Sequence, residues 1–591
     1  MLKRDRRPEA ASQPNRTTNG SLRKSSHALM VGTALCLAAC GGDSNDGRET
    51  VLAEADVNAA AGGSVAVPGN ALTVTIPPGA LSADSKVSIV QVRGDLPALS
   101  GPLQAAGDAY AIRVGTGVTL SQAVRVEIAA NAAPTHPQLA EMAELVDGKW
   151  QRASANFFRA RDSKVVALTK GATTVRPVFR RLQAATGDEV ARGRDVFLYE
   201  TFGNENFFGN VVGLHTLLNS LTPTQAVGAG VQIDLARVPS AVAGVLTGTD
   251  LAAKDAALQD PAVTRALLKA DAVVGVKAVY ADPASDMATS AGITCALCHV
   301  NAAPTTFQLS SGPTPLPIGA LRLDGTANTS MDAGAILSLT PFAQGAGSAT
   351  VTTLQSWGPG RFDVRALPDN PLEDNVNNPT KVPPLWNFPD LREQGYAYNW
   401  DGLFKNGEAG NALASQAEAV YDLVMHANGA FGTPGGSIPP ELSITPPPAL
   451  LSALGDAETA APGNDITAQK LLDVQAWQRS HVSPAPGPYD EALAEQGFLL
   501  FNGKAGCAGC HRTAEFTGPV VTNRITVQPP QGGLAAGIKT PGLRGVSKTG
   551  AYFHDGSAKT LNEVVDVYAG RITPALTDSE KTAVVEYLKS L

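Results

Sequence analysis

The sequence predicts a multidomain protein in which an N-terminal all-β sandwich is followed by mainly α-helical lobes. A chain of 591 residues is long enough for three or four domains. Short runs in which apolar and polar residues alternate fill 51–181, whereas apolar residues recur at helical spacing beyond residue 181. With 43% hydrophobic and 17% charged residues, the composition excludes a disordered, collagen-like or multi-spanning membrane protein.

The first 40 residues have the features of a bacterial export signal. Basic residues up to Lys24 precede an apolar stretch over 28–39, which is too short to span a bilayer. The stretch ends in Leu-Ala-Ala-Cys at Cys40, followed by two glycines, and this pattern resembles the lipobox of bacterial lipoproteins. The resemblance implies removal of residues 1–39, lipidation of Cys40 and a periplasm-facing position. Since no Asp follows Cys40, it favours the outer membrane. An ordinary signal peptide with an incidental Cys is the alternative.

The strands of the predicted sandwich come from alternating runs bounded by Pro and Gly. The runs at 72–76 and 124–128 alternate strictly, so each predicts a strand with one buried face. The segment 62–81 begins Gly-Gly-Ser-Val and ends Ile-Pro-Pro-Gly-Ala-Leu, which resembles the sandwich module of netrin receptors and ankyrins. We predict a sandwich domain over 40–181. Because it carries no catalytic constellation, we expect a spacer or docking role for it.

Beyond the sandwich the sequence predicts helices. Ala, Leu and Val at helical spacing over 225–238 and 252–281 predict helical structure there. A helix should begin at Glu491 and place its apolar end beside the second of two cysteine motifs. A last helix should begin after Thr577, where Glu580 completes a capping box.

Breaker-rich stretches set the predicted boundaries of these helical lobes. The segments 303–319 and 433–464 are rich in Pro and Gly, which predicts long loops. We therefore predict a first lobe over 182–432, a connection over 433–484 and a C-terminal domain over 485–591.

The motif Cys-x-x-Cys-His occurs twice and carries the chemistry. Its members are Cys295, Cys298 and His299 in the first copy and Cys507, Cys510 and His511 in the second. Two thiols at this spacing can add across the vinyl groups on one edge of a haem, and the adjacent His can ligate the iron. Such cysteine pairs also bind zinc or form redox disulfides, but neither use needs a His after both pairs. The sequence thus predicts two covalently bound c-type haems.

Longer blocks of sequence resemble one family. Thr-Pro-Gly-Leu-Arg-Gly-Val over 540–546 and Gly-Ala-Tyr-Phe-His-Asp-Gly-Ser over 550–557 are similar to the C-terminal haem domain of the bacterial di-haem cytochrome c peroxidase and MauG superfamily. The blocks over 382–387 and 398–402 resemble the family segment that ends in Trp-Asp-Gly. The resemblance implies two cytochrome c, peroxidase-like lobes. It places Trp400 between the haems as an electron relay; a Trp that serves only as core is the alternative.

The resemblance also implies the ligand on the far side of each haem. Fourteen residues past His554, where the peroxidases keep a Met, this chain has Tyr568, as MauG-type enzymes do. Tyr568 is therefore the expected sixth ligand of the His511 haem, with His554 as the alternative. At the first haem, the position of the family's distal His is occupied by Pro315, so the His299 haem should be open on that side.

Family enzymes line the open pocket with a Gln and a Glu. Gln416 fits the Gln position if a six-residue insertion is allowed, and the same count places His426 at the Glu position. A distal His could take a proton from peroxide and return it to the departing oxygen. His426 as an axial ligand, or as a helix-face residue without a role, are the alternatives.

Calcium between the lobes is a further cofactor that the resemblance implies. Thr549 matches one of the family's ligand positions. Lys381, however, aligns with the expected Asn, and an ammonium group cannot coordinate a cation.

Together these features predict a di-haem oxidoreductase that reduces peroxide at the His299 haem with electrons from the His511 haem. A periplasmic electron donor protein would supply those electrons. The enlarged stretch between His299 and Trp400 is similar to that of the di-haem rubber oxygenases, which use dioxygen. Such a dioxygenase and a non-catalytic electron-transfer cytochrome are the alternatives. A formal charge of −8 excludes recruitment of nucleic acid through its phosphates.

Overall fold

A computed structural model gives the fold of most of the chain beyond residue 48. It describes residues 49–94, 96–99, 101, 103–131, 139–180, 187–202, 204–363, 377, 379–386, 400, 468–512, 514–518, 520–521 and 538–591. Within these ranges no helix combines the length and the apolar character needed to cross a membrane.

The first part of the described chain is a two-sheet sandwich. Its strands are β1 (Glu49–Val57), β2 (Gly63–Ala66), β3 (Leu72–Ile76), β4 (Ser85–Val92), β5 (Leu103–Ala105), β6 (Ala109–Arg113), β7 (Val124–Ala129), β8 (Ala140–Val146), β9 (Lys149–Arg152), β10 (Asn156–Arg159), β11 (Lys164–Thr169) and β12 (Thr174–Arg180). One sheet has the order β1-β4-β6-β12-β8-β9, with β5 also paired to β12, and the other has the order β10-β11-β7-β3-β2. The strands predicted at 72–76 and 124–128 are confirmed as β3 and part of β7.

The two sheets share one apolar core. Alternate residues of each strand point inwards, and Leu72, Ile89 and Val126 are fully buried there. Gly62 marks a close approach at one edge. Its φ is 72°, and a Cβ there would lie 2.3 Å from the Ile76 carbonyl oxygen.

Helices dominate the part of the chain that follows. Those between residues 188 and 478 are α1 (Asp188–Tyr199), α2 (Leu214–Ser220), α3 (Pro223–Gly228), α4 (Ser240–Thr247), α5 (Leu251–Leu258), α6 (Pro261–Lys269), α7 (Ala296–His299), α8 (Ala333–Ser338), α9 (Pro341–Ala346), α10 (Ser348–Gln355) and α11 (Ala468–Gln478). Helical structure over 225–238 ends early, at Gly228. The segment 252–281 is divided by Pro261, which has no N–H to donate and so begins α6 after the Asp260 cap.

Short strand pairs link these helices. They are β13 (Ile233–Asp234) with β19 (Ile318–Gly319), β14 (Val276–Val279) with β15 (Ser290–Ile293), β16 (Asn301–Ala302) with β20 (Leu321–Arg322), β17 (Thr305–Leu309) with β18 (Gly312–Leu316), and β21 (Arg361–Phe362) with β22 (Thr380–Lys381). The prediction of a loop over 303–319 is wrong, because β17 and β18 form a hairpin. Pro313 and Pro315 alternate with Thr314 along β18, so their missing N–H groups fall on the side away from the partner strand.

Three helices and a short strand pair build the C-terminal domain. They are α12 (Glu491–Asn502), α13 (Leu561–Ala569) and α14 (Asp578–Ser590), with β23 (Val520–Val521) paired to β24 (Ile538–Lys539). The predicted start of α12 is confirmed, and Asp490 caps it. The predicted capping box of α14 is confirmed as well, with Thr577 and Glu580 bonded to each other's backbone.

Each cysteine motif is accompanied by a closely crossing helix pair. In α1, a Cβ on Gly193 would lie 1.8 Å from the Asp473 carbonyl oxygen of α11. In α12, a Cβ on Gly497 would lie 1.9 Å from the Ala583 carbonyl oxygen of α14. Only glycine permits such contact between backbones. Helix α11 therefore packs on α1, although it lies within the segment 433–484 that was predicted as a connection.

The sandwich docks against the C-terminal domain through five charges, here called the inner ion cluster. Its members are Glu141, Arg152, Arg180, Glu515 and Arg544. Four of them are buried, and the Arg152 side chain is 12% exposed. Arg152 donates to Glu141 at 2.5 Å and to Glu515 at 2.8 Å. Arg180 donates to Glu515 at 3.2 Å, and Arg544 donates to Glu141 at 3.1 Å. The cluster joins residues about 400 positions apart in the sequence, which favours the docking role over the spacer role.

A second set of contacts surrounds this cluster. Glu495 of α12 pairs with Arg159 at 2.8 Å and with Arg161 at 2.7 Å, and it also pairs with Arg125. Beside these ion pairs the Phe157 ring of β10 stacks on Phe498 of α12, with 6.2 Å between ring centroids. The interface is thus partly ionic and partly aromatic.

We expect the inner ion cluster to make folding sensitive to acid. Burial opposes ionisation of Glu141, but Arg152, Arg544 and Arg180 outweigh it and lower its pKa from 4.5 to about 2. A carboxylate with a lowered pKa stabilises the fold fully above pH 4.5 and loses that contribution as pH falls towards 2, which amounts to about 3 kcal/mol. Between pH 5 and pH 2 the native chain should therefore lose about 3 kcal/mol more of its free energy of unfolding than Glu141→Gln does.

Urea unfolding at several pH values measures this difference. Glu54→Gln is the matched control, because Glu54 forms an exposed pair with Lys86 at 3.0 Å and should shift the free energy of unfolding by less than about 1 kcal/mol. Identical pH dependence in Glu141→Gln and the native chain would contradict the prediction.

Candidate functional site

The first cysteine motif lies on α7, a single helical turn that follows β15. Thr294 ties this turn to α1, since its hydroxyl donates to the Leu198 carbonyl at 3.0 Å and accepts from the Ala296 N–H at 3.3 Å. Gly275 has a φ of 77° and lets the turn approach, because a Cβ there would lie 2.1 Å from the Leu297 backbone nitrogen. These contacts position the turn that carries both thiols. Neither thiol is in a disulfide.

His299 is the last residue of α7 and its ring is buried. Burial lowers its pKa to about 4, and the nearby Pro383 carbonyl opposes that shift. The ring is therefore neutral at pH 7. The Phe197 ring of α1 lies beside it, with 6.5 Å between centroids. A neutral imidazole has a lone pair that can bind a metal.

Asn328 is a site residue that the sequence analysis missed. It is fully buried, its backbone N–H donates to the Cys298 carbonyl at 2.7 Å, and its side-chain amide donates to the Leu297 carbonyl at 3.3 Å. Gln232 in turn donates to the Asn328 side chain at 3.2 Å. Asn328 thus anchors the first motif to the core of its lobe. It belongs to no motif and no periodic run, so the sequence offers no signal for it.

The second motif lies on a 3₁₀ turn, Cys507–Gly509, that follows α12. The chain enters this turn through Gly506, with a φ of 67°. His511 Nδ1 is 2.5 Å from the Phe516 carbonyl, so Nδ1 is the donor and Nε2 keeps its lone pair. Burial lowers the pKa of His511 to about 4. The Phe501 ring lies 6.3 Å from the His511 ring, which repeats the arrangement at the first motif.

Both motifs fit a covalently attached c-type haem. Each offers two free thiols within one turn of chain, and a buried neutral imidazole next to the second thiol. Two thiols and one imidazole are the donors that such a haem needs from the protein.

The structure brings Tyr568 to the second motif. Burial raises the pKa of Tyr568, the Arg571 charge lowers it, and Cys507 and Cys510 raise it, so Tyr568 lies within electrostatic range of the second motif. The Phe553 ring lies 6.0 Å from the Tyr568 ring. His554 follows Phe553, and its carbonyl accepts from the Lys381 N–H at 2.7 Å. Ligation of an iron by Tyr568 or His554 stays a prediction.

Trp400 lies between the segments that border the two motifs. Its indole N–H donates to the Lys381 carbonyl at 2.9 Å, two residues before the Pro383 carbonyl that faces His299. Its own carbonyl accepts from the Lys539 N–H at 2.8 Å, and the Lys539 charge acts on His511. Hydrogen bonds thus hold Trp400 to both sides.

Comparisons with known proteins agree with these motifs. The methylamine utilization protein MauG of Methylorubrum extorquens is 27% identical over 247 residues, which cover 36% of this chain and 64% of that protein. Cytochrome-c peroxidase IdrP1 of Denitromonas iodatirespirans is 30% identical over 167 residues, which cover 19% of this chain and 44% of that protein. The matched stretches resemble the superfamily of bacterial di-haem cytochrome c peroxidases and MauG proteins.

The similarity to members of this superfamily is partial. The chain spans less than two thirds of the length of the curated relatives it matches. A solved MauG-like protein associated with microbial copper homeostasis is 18% identical with a TM-score of 0.21, and the match covers 36% of this chain and 75% of that protein. No protein-family model matches the chain.

Two buried lysines lie beside Trp400, and of these the sequence pointed only to Lys381. Burial lowers the pKa of Lys381 and of Lys539 to about 8. The Lys539 ammonium donates to the Thr517 hydroxyl at 2.8 Å, and the Lys381 ammonium lies 5.9 Å from the centre of the Tyr552 ring. Lys381 occupies the calcium-ligand position that the superfamily resemblance implies. Among the described residues, no three His, Cys, Asp or Glu side chains converge as around a metal ion.

Several predicted residues lie outside the part of the chain that the structure describes. They are Cys40, Gln416 and His426. Thr549, the other residue matched to a calcium ligand, is described and buried, and its hydroxyl donates to the Val546 carbonyl at 2.9 Å.

Proposed function

We propose that this chain is a member of that superfamily and a di-haem c-type cytochrome oxidoreductase with peroxidase-like activity. The observation that carries the proposal is the position of Trp400, which is hydrogen-bonded to the segment beside His299 and to the segment beside His511. Two curated relatives, named MauG and cytochrome-c peroxidase, support the same class of reaction.

In this proposal each cysteine motif holds one haem. Its two cysteines anchor the group covalently, and its His, neutral through burial, is the proximal iron ligand. A haem supplies reversible electron transfer and, where one face of the iron is open, a binding site for peroxide. The chain keeps both His rings out of water, which holds each ring in one orientation.

The two sites would differ in their distal sides. Tyr568 is the proposed sixth ligand at the second site, supported by its position fourteen residues past His554 and by the electrostatic effect of Cys507 and Cys510 on its pKa. His554 is the alternative ligand. An oxygen donor stabilises the oxidised iron relative to a thioether, so this site should store oxidising equivalents. The first site would stay open for the substrate.

Peroxide would react at the first site with help from His426 and Gln416, on the evidence of the sequence resemblance alone. His426 would take a proton from peroxide and return it to the departing oxygen, while Gln416 would orient the substrate. Electrons would enter from a periplasmic donor protein and pass by way of Trp400.

We also propose that the mature chain begins at Cys40, carries lipid there and faces the periplasm from the outer membrane. This part of the proposal rests on the Leu-Ala-Ala-Cys pattern.

Optical and electron-paramagnetic-resonance spectra of the purified full chain test the proposal. We expect two haems per chain and one high-spin iron whose signal changes on addition of peroxide. That signal should vanish in His299→Ala and persist in His215→Ala, which changes a His on α2 of the same lobe. Two low-spin irons that peroxide leaves unchanged in every redox state would indicate an electron-transfer cytochrome instead. A stable dioxygen complex would favour the dioxygenase.

Tyr568→Phe tests the sixth ligand of the second haem. Loss of the phenolic oxygen should alter the low-spin signal of one haem and raise its ratio of reduced to oxidised form at least about tenfold, or about 59 mV for one electron. Tyr552→Phe is the control, since Tyr552 is also partly buried but faces Lys381. If His554→Ala alters that signal and Tyr568→Phe does not, His554 is the ligand.

Trp400→Phe tests the relay. We expect transfer between the haems to slow at least about tenfold, which corresponds to about 1.4 kcal/mol of barrier. Rapid-mixing absorbance of the half-reduced chain measures this rate. Trp386→Phe is the control, because Trp386 is buried nearby but donates to the Arg544 carbonyl at 2.9 Å. Equal rates in all three chains would rule out the relay through Trp400.

A further inference from the structure

The segment 514–517 follows the second motif and is held by hydrogen bonds from the sandwich domain. Glu515 is only 1% exposed, and it accepts hydrogen bonds from Arg152 at 2.8 Å and Arg180 at 3.2 Å. Arg152 is the last residue of β9 and Arg180 the last residue of β12. Both therefore belong to the sandwich, whereas Glu515 lies four residues after His511.

Arg544 holds the residues on either side of Glu515. Its Nε donates to the Ala514 carbonyl at 3.1 Å, and its guanidinium lies over the Phe516 ring, 5.0 Å from the ring centre. The same guanidinium donates to Glu141 of the sandwich at 3.1 Å. The inner ion cluster therefore restrains three consecutive residues, Ala514, Glu515 and Phe516.

Phe516 needs such restraint because of its backbone. Its φ is 55°, a left-handed conformation that a large side chain rarely adopts unless surrounding contacts impose it. In this conformation its carbonyl accepts from His511 Nδ1 at 2.5 Å. The carbonyls of Phe516 and Pro541 both act on the His511 ring, and the Phe516 carbonyl belongs to a strained residue next to a buried ion pair.

The first motif has no equivalent arrangement. Within the residues that the structure describes, His299 Nδ1 is buried without a hydrogen bond of normal geometry. The carbonyl that faces His299 belongs to Pro383, which lies in the first lobe's own neighbouring segment. The sandwich can therefore act on one motif and leave the other unaffected.

We propose that the β sandwich tunes the second haem: Arg152 and Arg180 position Glu515, and Glu515 fixes the Phe516 carbonyl against His511. A strong hydrogen bond at Nδ1 makes the imidazole a better electron donor to iron, which stabilises the oxidised form and lowers the reduction potential. The residues named act through His511 and are positioning residues. This inference rests on the second haem of the proposed function.

Two variants of one ion pair test the proposal in the full chain. Glu515→Gln and Arg180→Gln each weaken the contacts that position Phe516. Both should raise the ratio of reduced to oxidised form of one haem about tenfold, which is a rise of about 59 mV in its reduction potential. Spectroelectrochemical titration measures both haems separately. The other haem should keep its potential.

The sign of the shift separates positioning from simple charge effects. Removing the negative charge of Glu515 would raise the reduction potential of the haem by direct electrostatics, even without any change in the His511 hydrogen bond. Removing the Arg180 charge through space would lower it, because a positive charge favours the reduced iron. A raised potential in Arg180→Gln is therefore specific to a loosened His511 bond. A lowered or unchanged potential in that variant would overturn the proposal.

Arg161→Gln is the matched control for undocking of the two domains. Arg161 joins the sandwich to α12 through Glu491 at 3.3 Å and Glu495 at 2.7 Å, and neither contact touches 514–517. Both haems of Arg161→Gln should have the same reduction potentials as in the native chain. A shift as large as that of Arg180→Gln would show that any weakening of the interface suffices, which would overturn the role of Glu515.

Two further measurements keep the outcome clear. Arg180→Lys retains the charge and one donor, so its potential should lie between those of the native chain and Arg180→Gln; this variant decides the case if Arg180→Gln does not fold. Haem content is measured first, after proteolysis and mass analysis of the peptide around Cys507 and Cys510. No haem there in the native chain would overturn the proposed function and this inference together. Haem present with unmoved potentials would overturn this inference alone.

Discussion

The pairing of five charges, four of them buried, constrains how the sandwich and the C-terminal domain meet. Each carboxylate or guanidinium that leaves water without a partner costs several kcal/mol, so the members of the inner ion cluster must stay paired. Glu141 of the sandwich pairs with Arg152 of its own domain and with Arg544 of the C-terminal domain, and Glu515 of the C-terminal domain pairs with Arg152 and Arg180 of the sandwich. A mismatched docking of the two domains would leave some of these groups away from water without a partner. The sandwich is a built-in part of the second site rather than a tethered addition.

A second constraint is the close crossing of one helix pair per motif. Gly193 and Gly497 bring two backbones into contact, and the aromatic residue four positions further on, Phe197 or Phe501, reaches the motif His. The two sites thus share a plan for the proximal side. The two sites differ in the contacts that the motif His makes. At the first motif the contact comes from the nearby Pro383 segment, and at the second motif it comes from Phe516, which the sandwich restrains.

Local patterns allowed much of this to be predicted. The motif cysteines, the strands β3 and β7 and the capping box at Thr577 all depend on residues close in sequence. The hairpin β17–β18 was missed because proline content, rather than register, dominated the pattern. The inner ion cluster and Asn328 could not be predicted, since a buried polar residue looks like a surface residue until its distant partner is known.

The two lobes also differ in the sequence separation between the two helices that pack together in each. The helices of the second pair, α12 and α14, lie within 100 residues of each other, but α1 and α11 are separated by more than 260 residues that contain the first motif. Contacts of such sequence separation form late, and a chain made from its N-terminus presents the first motif long before α11 exists. The first lobe must therefore wait, incomplete and with Phe197 not yet covered by Trp477, until α11 has been made. Attachment of a haem at Cys295 and Cys298 would meet an open lobe, whereas attachment at the second motif would meet a lobe that can close within a short stretch of synthesis.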